Sequence, residues 1–157
     1  MTTDTQAEIR ATVERLIEDV GSWPGVTVGD HRFGGTEWRV GPREIGHVHS
    51  WGMLDVAYLR ALRDVLVEAG QTGVHHLLDG TGWTTFYIER PSDYDHARWL
   101  VRLSYLYHVS VLKKTPGGAE EYSHIDVDAE LESLGLSDAV HDTFRRRRPG
   151  TAGSPED

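Results

Sequence analysis

Residues 26–49 read VTVGDHRFGGTEWRVGPREIGHVH, and the organisation of the chain follows from how that stretch is parsed. β-Branched and aromatic residues alternate with polar ones along it, the period of half-buried strands, and the pattern is cut at Gly29, at the Gly34–Gly35 pair and at Gly41–Pro42. Three short antiparallel strands are predicted, near 26–32, 36–40 and 43–49. The last of these carries Arg43, Glu44, His47 and His49 within seven residues.

Outward from this core, Ile9, Val13, Leu16, Ile17 and Val20 build one face of a helix over 5–20, with Thr5 and Glu8 as a capping-box signal. On the other side, Leu59, Leu62, Leu66 and Ala69 predict a helix over 56–69, ended by Gly70 as a left-handed cap. A second β-rich run, VHHLLDGTGWTTFYI at 74–88, predicts strands over 74–78 and 83–88 joined by a DGTG turn. Pro91 and a Ser92-to-Asp95 capping box open a helix to about 112, with Trp99, Leu103, Leu106 and Val109 or Leu112 facing inward. Two weaker helices are predicted over 127–134 and 138–146, separated by Gly135. This order, with hairpin-length connections, predicts an α+β two-layer sandwich: an antiparallel sheet of about five strands with helices packed on one face. Residues 1–114 are read as one domain, 115–147 as a helical extension and 148–157, rich in Pro, Gly and Ser, as a disordered tail.

Composition narrows the function classes. The 157 residues include no cysteine, which removes disulfides, thiolate metal sites and a cysteine nucleophile, and leaves histidine and carboxylate as the side chains for a metal. A formal charge of -9 argues against nucleic acid and anionic membrane as partners, since both are bound through clustered cations. The basic run at 145–148 is read as a solvated helix end. Nothing resembles a signal peptide or a membrane-spanning apolar run, so a cytoplasmic location is expected. Neither a phosphate-binding Gly-rich loop nor a G-x-S-x-G elbow is present. No motif speaks to the oligomeric state.

Plain strand alternation puts Arg43, Ile45, His47 and His49 on one face and Glu44 on the other. Two imidazoles two positions apart can converge on one point, and three readings stay open. They form a metal site completed by His75, His76 or Glu44, the last only if a bulge turns it round; or they line a polar pocket without metal; or they satisfy local hydrogen bonds. His75 and His76 are neighbours, so only one of them can join the pair. His31 is read as a strand-edge residue, and His96, His108, His124 and His141 as structural or surface histidines. Trp38, Trp51, Trp83 and Tyr87 lie on the same elements and would suit a flat aromatic ligand.

The segment from about 25 to 112 resembles the bacterial and archaeal luciferase-family domain, and similarly the C-terminal half of fungal luciferase. The resemblance rests on HRFGGTEWRVGPREIGHVHSWGMLDV, then HHLLDGTGWTTFYI, then a helix holding LVRLSYLY, with Arg43, Glu44, Ile45, His47 and His49 in register, followed by His76 and Trp83. The link between His76 and Trp83 is shorter here than in the fungal enzymes. The resemblance implies an oxygenase that adds O₂ to an electron-rich hydroxypyrone with loss of CO₂ and emission of light, with no metal or organic cofactor, and it favours His76 over His75. On that footing His47 or His49 serves as base near neutral pH and, once protonated, as the cation that steadies a developing peroxide. Arg43 would hold an anionic substrate through two hydrogen bonds, Glu44 would orient a histidine, and Trp38, Trp51, Trp83 and Tyr87 would pack on the substrate. The expected function is therefore a cofactor-independent oxygenase acting on a small aromatic or enolic molecule. The alternatives are a non-catalytic small-ligand-binding module and a metal-dependent enzyme using His47 and His49.

Overall fold

A computed structural model describes residues 2–31, 34–75, 77–78 and 80–147. His76 and the tail from 148 onward lie outside these. Helix α1, Thr3–Gly21, starts two residues before the predicted one because Thr2 caps it, its side chain accepting from the Thr5 N–H at 3.1 Å. Its inward stripe of Ile9, Val13, Leu16 and Val20 is fully buried, as the spacing requires.

The sheet has six strands, β1 Val26–Asp30, β2 Thr36–Val40, β3 Arg43–Val48, β4 Met53–Ala57, β5 Gly73–Val74 and β6 Trp83–Tyr87. They run in the order β1-β2-β3-β4-β6-β5, with every pairing antiparallel. The α+β class is as expected, with one strand more. The added strand is β4, which replaces the predicted helical start at 56. Leu54, Asp55 and Val56 are all buried, so this segment shows no alternation from which a strand could be read. The helix that follows, α2 Arg60–Glu68, ends as predicted. Gly70, at φ +76°, donates to the Val67 carbonyl, and Gln71 N–H donates to that of Leu66.

The predicted strand at 74–78 shrinks to Gly73–Val74 because His75 Nδ1 accepts from the backbone N–H groups of Leu77 and Leu78, at 3.0 and 3.1 Å. Those donors are thereby turned away from a ladder.

Helix α3, Tyr94–Leu112, crosses one face of the sheet with α1 beside it. Ser104 Oγ bridges the Ile45 and Ala57 carbonyls, at 3.0 and 2.6 Å, which ties α3 to both central strands. Three shorter helices, α4 Gly118–Glu121, α5 Val127–Ser133 and α6 Asp138–Arg147, complete the described chain. Leu131, Val140 and Phe144 from this extension enter the same apolar cluster as Leu62, Leu66 and Leu103. Each fully buried large side chain there contributes about 1.5–3 kcal/mol. Among the described residues no helix is long and apolar enough to cross a membrane.

Candidate functional site: a histidine and carboxylate pocket

The side chains that matter most for chemistry stand on the sheet face opposite α3, and a single irregularity in β3 puts them there. Trp38 pairs with Gly46 and Arg39 with Glu44, so Ile45 is an extra residue between the two pairs. Paired residues share a face, and Glu37 is paired with His47. The bulge therefore brings Glu44 to the face of His47 and sends Arg43 to the other. Plain alternation had placed Arg43 with the histidines. Instead its Nε–H donates to His108 Nδ1 of α3 at 2.8 Å, and His108 Nε2 contacts the Ala57 carbonyl at 3.3 Å. Trp38 is also on the helix side, fully buried with its indole N–H 3.3 Å from the Ile17 carbonyl. Neither Arg43 nor Trp38 reaches the pocket.

His47 sits at the centre of the cluster. Its Nδ1–H donates to Glu44 at 2.7 Å and its Nε2–H to Asp55 at 2.9 Å. Burial alone would depress its pKa, but the hydrogen bonds to Asp55 and Glu44 and their charges reverse that and push it up to about 9. His47 is thus an imidazolium at neutral pH. Asp55 is 1 % exposed and would be raised by burial, yet the bonds from His47 and Thr85 and the nearby histidines hold it below the usual carboxylate value. Thr85 Oγ1 donates to it at 2.6 Å, and His75 Nε2 lies 3.4 Å away. Since Nδ1 of His75 accepts from two backbone amides, its proton is on Nε2, facing Asp55. The structure thus places His75 in the cluster; His76, favoured by the resemblance, falls outside the described residues.

His49 differs. It is half-buried, its ring standing edge-on to His47 with centroids 6.0 Å apart and stacked on Trp51 at 5.6 Å. Its backbone pairs with Met53 and Gly52, but among the described residues no protein group hydrogen-bonds to its ring. Burial and then the charge of His47 lower its pKa, which leaves it neutral. Gly35 makes room for the ring: a Cβ there would come within 2.9 Å of the Val48 carbonyl and 3.2 Å of His49. His31, at the end of β1, stacks on His47 with centroids 3.8 Å apart.

These groups line a cavity of about 840 Å³, walled by Trp83, Met53, Leu77 and Leu78 and bordered by Asp30, Glu37 and Arg39. Trp83 packs 5.3 Å from His47. Trp51 and Tyr87, 58 % and 48 % exposed, lie beyond His49 as a rim. Sequence reading passed over Asp55, named His75 only as one possible third ligand, and took His31 for a strand-edge residue. Asp55 was hidden by the mistaken helix start, although an acid between Leu54 and Val56 was a signal of a buried polar partner. Register accounts for His75, because Gly73 pairs with Thr85 and thus leads His75 toward the Asp55 face.

Residues 42–104 match the family model described as Luciferase domain. No curated protein and no solved structure matches the chain. The matched stretch runs from the β2–β3 turn into α3 and holds Glu44, His47, His49, Asp55, His75 and Trp83, and over this part the chain is similar to a luciferase-family domain.

Proposed function

We propose that the chain is a small luciferase-like oxygenase that binds an aromatic or enolic, hydroxypyrone-like molecule in this pocket and reacts it with O₂. The observation that carries the reading is the contrast between two neighbouring histidines. His47 is locked as a cation between carboxylates, whereas the His49 ring is neutral, has no protein hydrogen-bond partner among the described residues, and is open to the cavity. A neutral imidazole facing a ligand cavity is a proton acceptor in waiting. This divides between two residues the roles that the sequence had left to either one.

The chemistry balances on the substrate alone. His49 takes the enol O–H proton, and the enolate carbon passes its electron pair to O₂ as the new C–O bond forms. The proton returns to the terminal oxygen, so that an enol and O₂ give an α-hydroperoxy ketone. The substrate is oxidised, dioxygen is reduced to the peroxide level, and no outside reductant is consumed. Trp83 offers an aromatic wall to a flat ring.

Oxygen uptake by purified protein with a panel of hydroxypyrones and catechols tests the reading. Saturable uptake of one O₂ per substrate consumed supports it. Saturable binding of the same molecules without oxygen uptake would make the chain a binding module instead.

A further inference from the structure

We propose that His31, Glu44 and His47 form a binding site for a divalent first-row transition metal ion, iron(II) in type, on the floor of the pocket. The existence of the site is independent of the oxygenase reading; its use in catalysis rests on that reading. The resemblance implied a site without metal, and the metal alternative read from the sequence used His47 and His49; the geometry argues for a metal held by His47 with His31 and Glu44 instead.

One nitrogen from each of the two rings and one oxygen from the carboxylate lie within 4.8 Å of one another. Ligand atoms bound at about 2.1 Å from an ion stand about 3 Å apart, so the cluster is close to a coordination sphere already. The Glu44 to His47 edge is already 2.7 Å, and an ion there would take the place of the proton that His47 Nδ1 shares with Glu44, becoming the local cation in its stead; His31, its ring stacked on His47 at 3.8 Å, closes the set. Two histidines and one carboxylate on one side of an ion, with the other side open, is the donor set of oxygen-using non-haem iron sites. Here the open side faces the cavity that His49 and Trp83 line.

The surroundings are those of a ligand histidine. Asp55, buried and fixed by Thr85, takes the Nε2–H of His47 and leaves Nδ1 as the nitrogen on the Glu44 side. A carboxylate behind a ligating imidazole sets ring orientation and raises its basicity. The bulge at Ile45 supports the same conclusion, because without it Glu44 would point toward α3. Charge agrees as well: four carboxylates, Asp30, Glu37, Glu44 and Asp55, line the pocket together with Arg39. Arg39 spends itself on Glu37, with Glu44 only at 4.0 Å. An enolate entering this pocket meets excess negative charge unless a further cation is present.

The test is anaerobic titration of untagged, chelator-stripped protein with Co²⁺, read by its visible absorption, and with Fe²⁺, read by calorimetry and metal analysis. One ion per chain is expected. Glu44→Gln and His31→Ala should each weaken binding about 100-fold or more, and Asp55→Asn about 10- to 100-fold. His141→Ala, on α6 outside the pocket, should bind as wild type. Circular dichroism and thermal melting of each metal-free variant verify folding, with His31→Gln replacing any His31→Ala protein that fails. No binding by the wild type, or wild-type affinity in Glu44→Gln and His31→Ala, would overturn the site. Metal bound without oxygen uptake on any substrate would keep the site and remove the oxygenase. Undiminished oxygen uptake by stripped protein would remove the ion from the chemistry and keep the enzyme.

Discussion

His108 offers a quantitative check on how β3 is oriented, since it is the group that receives Arg43 once the bulge has turned that residue away from the pocket. It is 6 % exposed, and burial, then the Arg43 charge, depress its pKa to about 4 against only a weak opposing bond to the Ala57 carbonyl. An unfolded histidine titrates near 6.5. Between pH 6.5 and 4 the unfolded chain therefore binds a proton that the folded chain refuses. Unfolding is favoured as pH falls through that window, and above 6.5 the group has no effect. The difference of about 2.5 pKa units, at about 1.36 kcal/mol each, amounts to about 3 kcal/mol lost by pH 4. In His108→Gln the amide can still accept from Arg43 and donate to Ala57, but it cannot titrate. Urea unfolding at closely spaced pH values, on wild type and variant, isolates the effect because all other groups are shared. The variant should lose about 3 kcal/mol less than wild type between pH 6.5 and 4. An identical acid slope in both proteins, or a His108 ring titrating at 6 to 7 by NMR, would refute the burial and the Arg43 contact together.

Arg43→Ala should leave KM for any pocket substrate within about twofold, because the side chain is on the other face, while costing about 1–3 kcal/mol in urea unfolding through the lost donor to His108. The opposite result, a large KM effect without loss of stability, would restore Arg43 to the substrate. In metal-free protein, the contribution of His47 to stability should be full below pH 6.5 and should be lost as pH rises toward about 9, where His47 loses its proton; Glu44→Gln should flatten that fall in a pH-resolved melt. Gly35→Ala should cost about 1–3 kcal/mol by crowding the Val48 carbonyl, and lower kcat by displacing His49, as read by melting and turnover.

The fold was legible where one face of an element is wet. The spacing of Ile9, Val13 and Leu16 and the turns at Gly34–Gly35 and Gly41–Pro42 reported it directly. It was not legible at β4, where both faces are covered and periodicity vanishes, nor at 75–78, where a side-chain nitrogen takes the amides a strand would have used. The pocket histidines 47 and 49 could be seen from their spacing. The partners that fix their protonation could not, because Glu44 reaches His47 only through the bulge and Asp55 only across the β3–β4 pairing. Long-range register sets the arrangement of this pocket, and a single sequence gives register only indirectly.

The division of labour between the two neighbouring histidines is tested most directly by the steady-state kinetics of His49→Ala, measured on whichever enolic substrate drives the fastest oxygen uptake. Removing the base used in the transition state should lower kcat about 10²- to 10⁴-fold with KM nearly unchanged. The wild-type rate should rise with pH through an ionisation below 6.5, the direction in which burial and the His47 charge move His49. Wild-type kcat in His49→Ala, or a loss confined to KM, would contradict the assignment of His49 as the base.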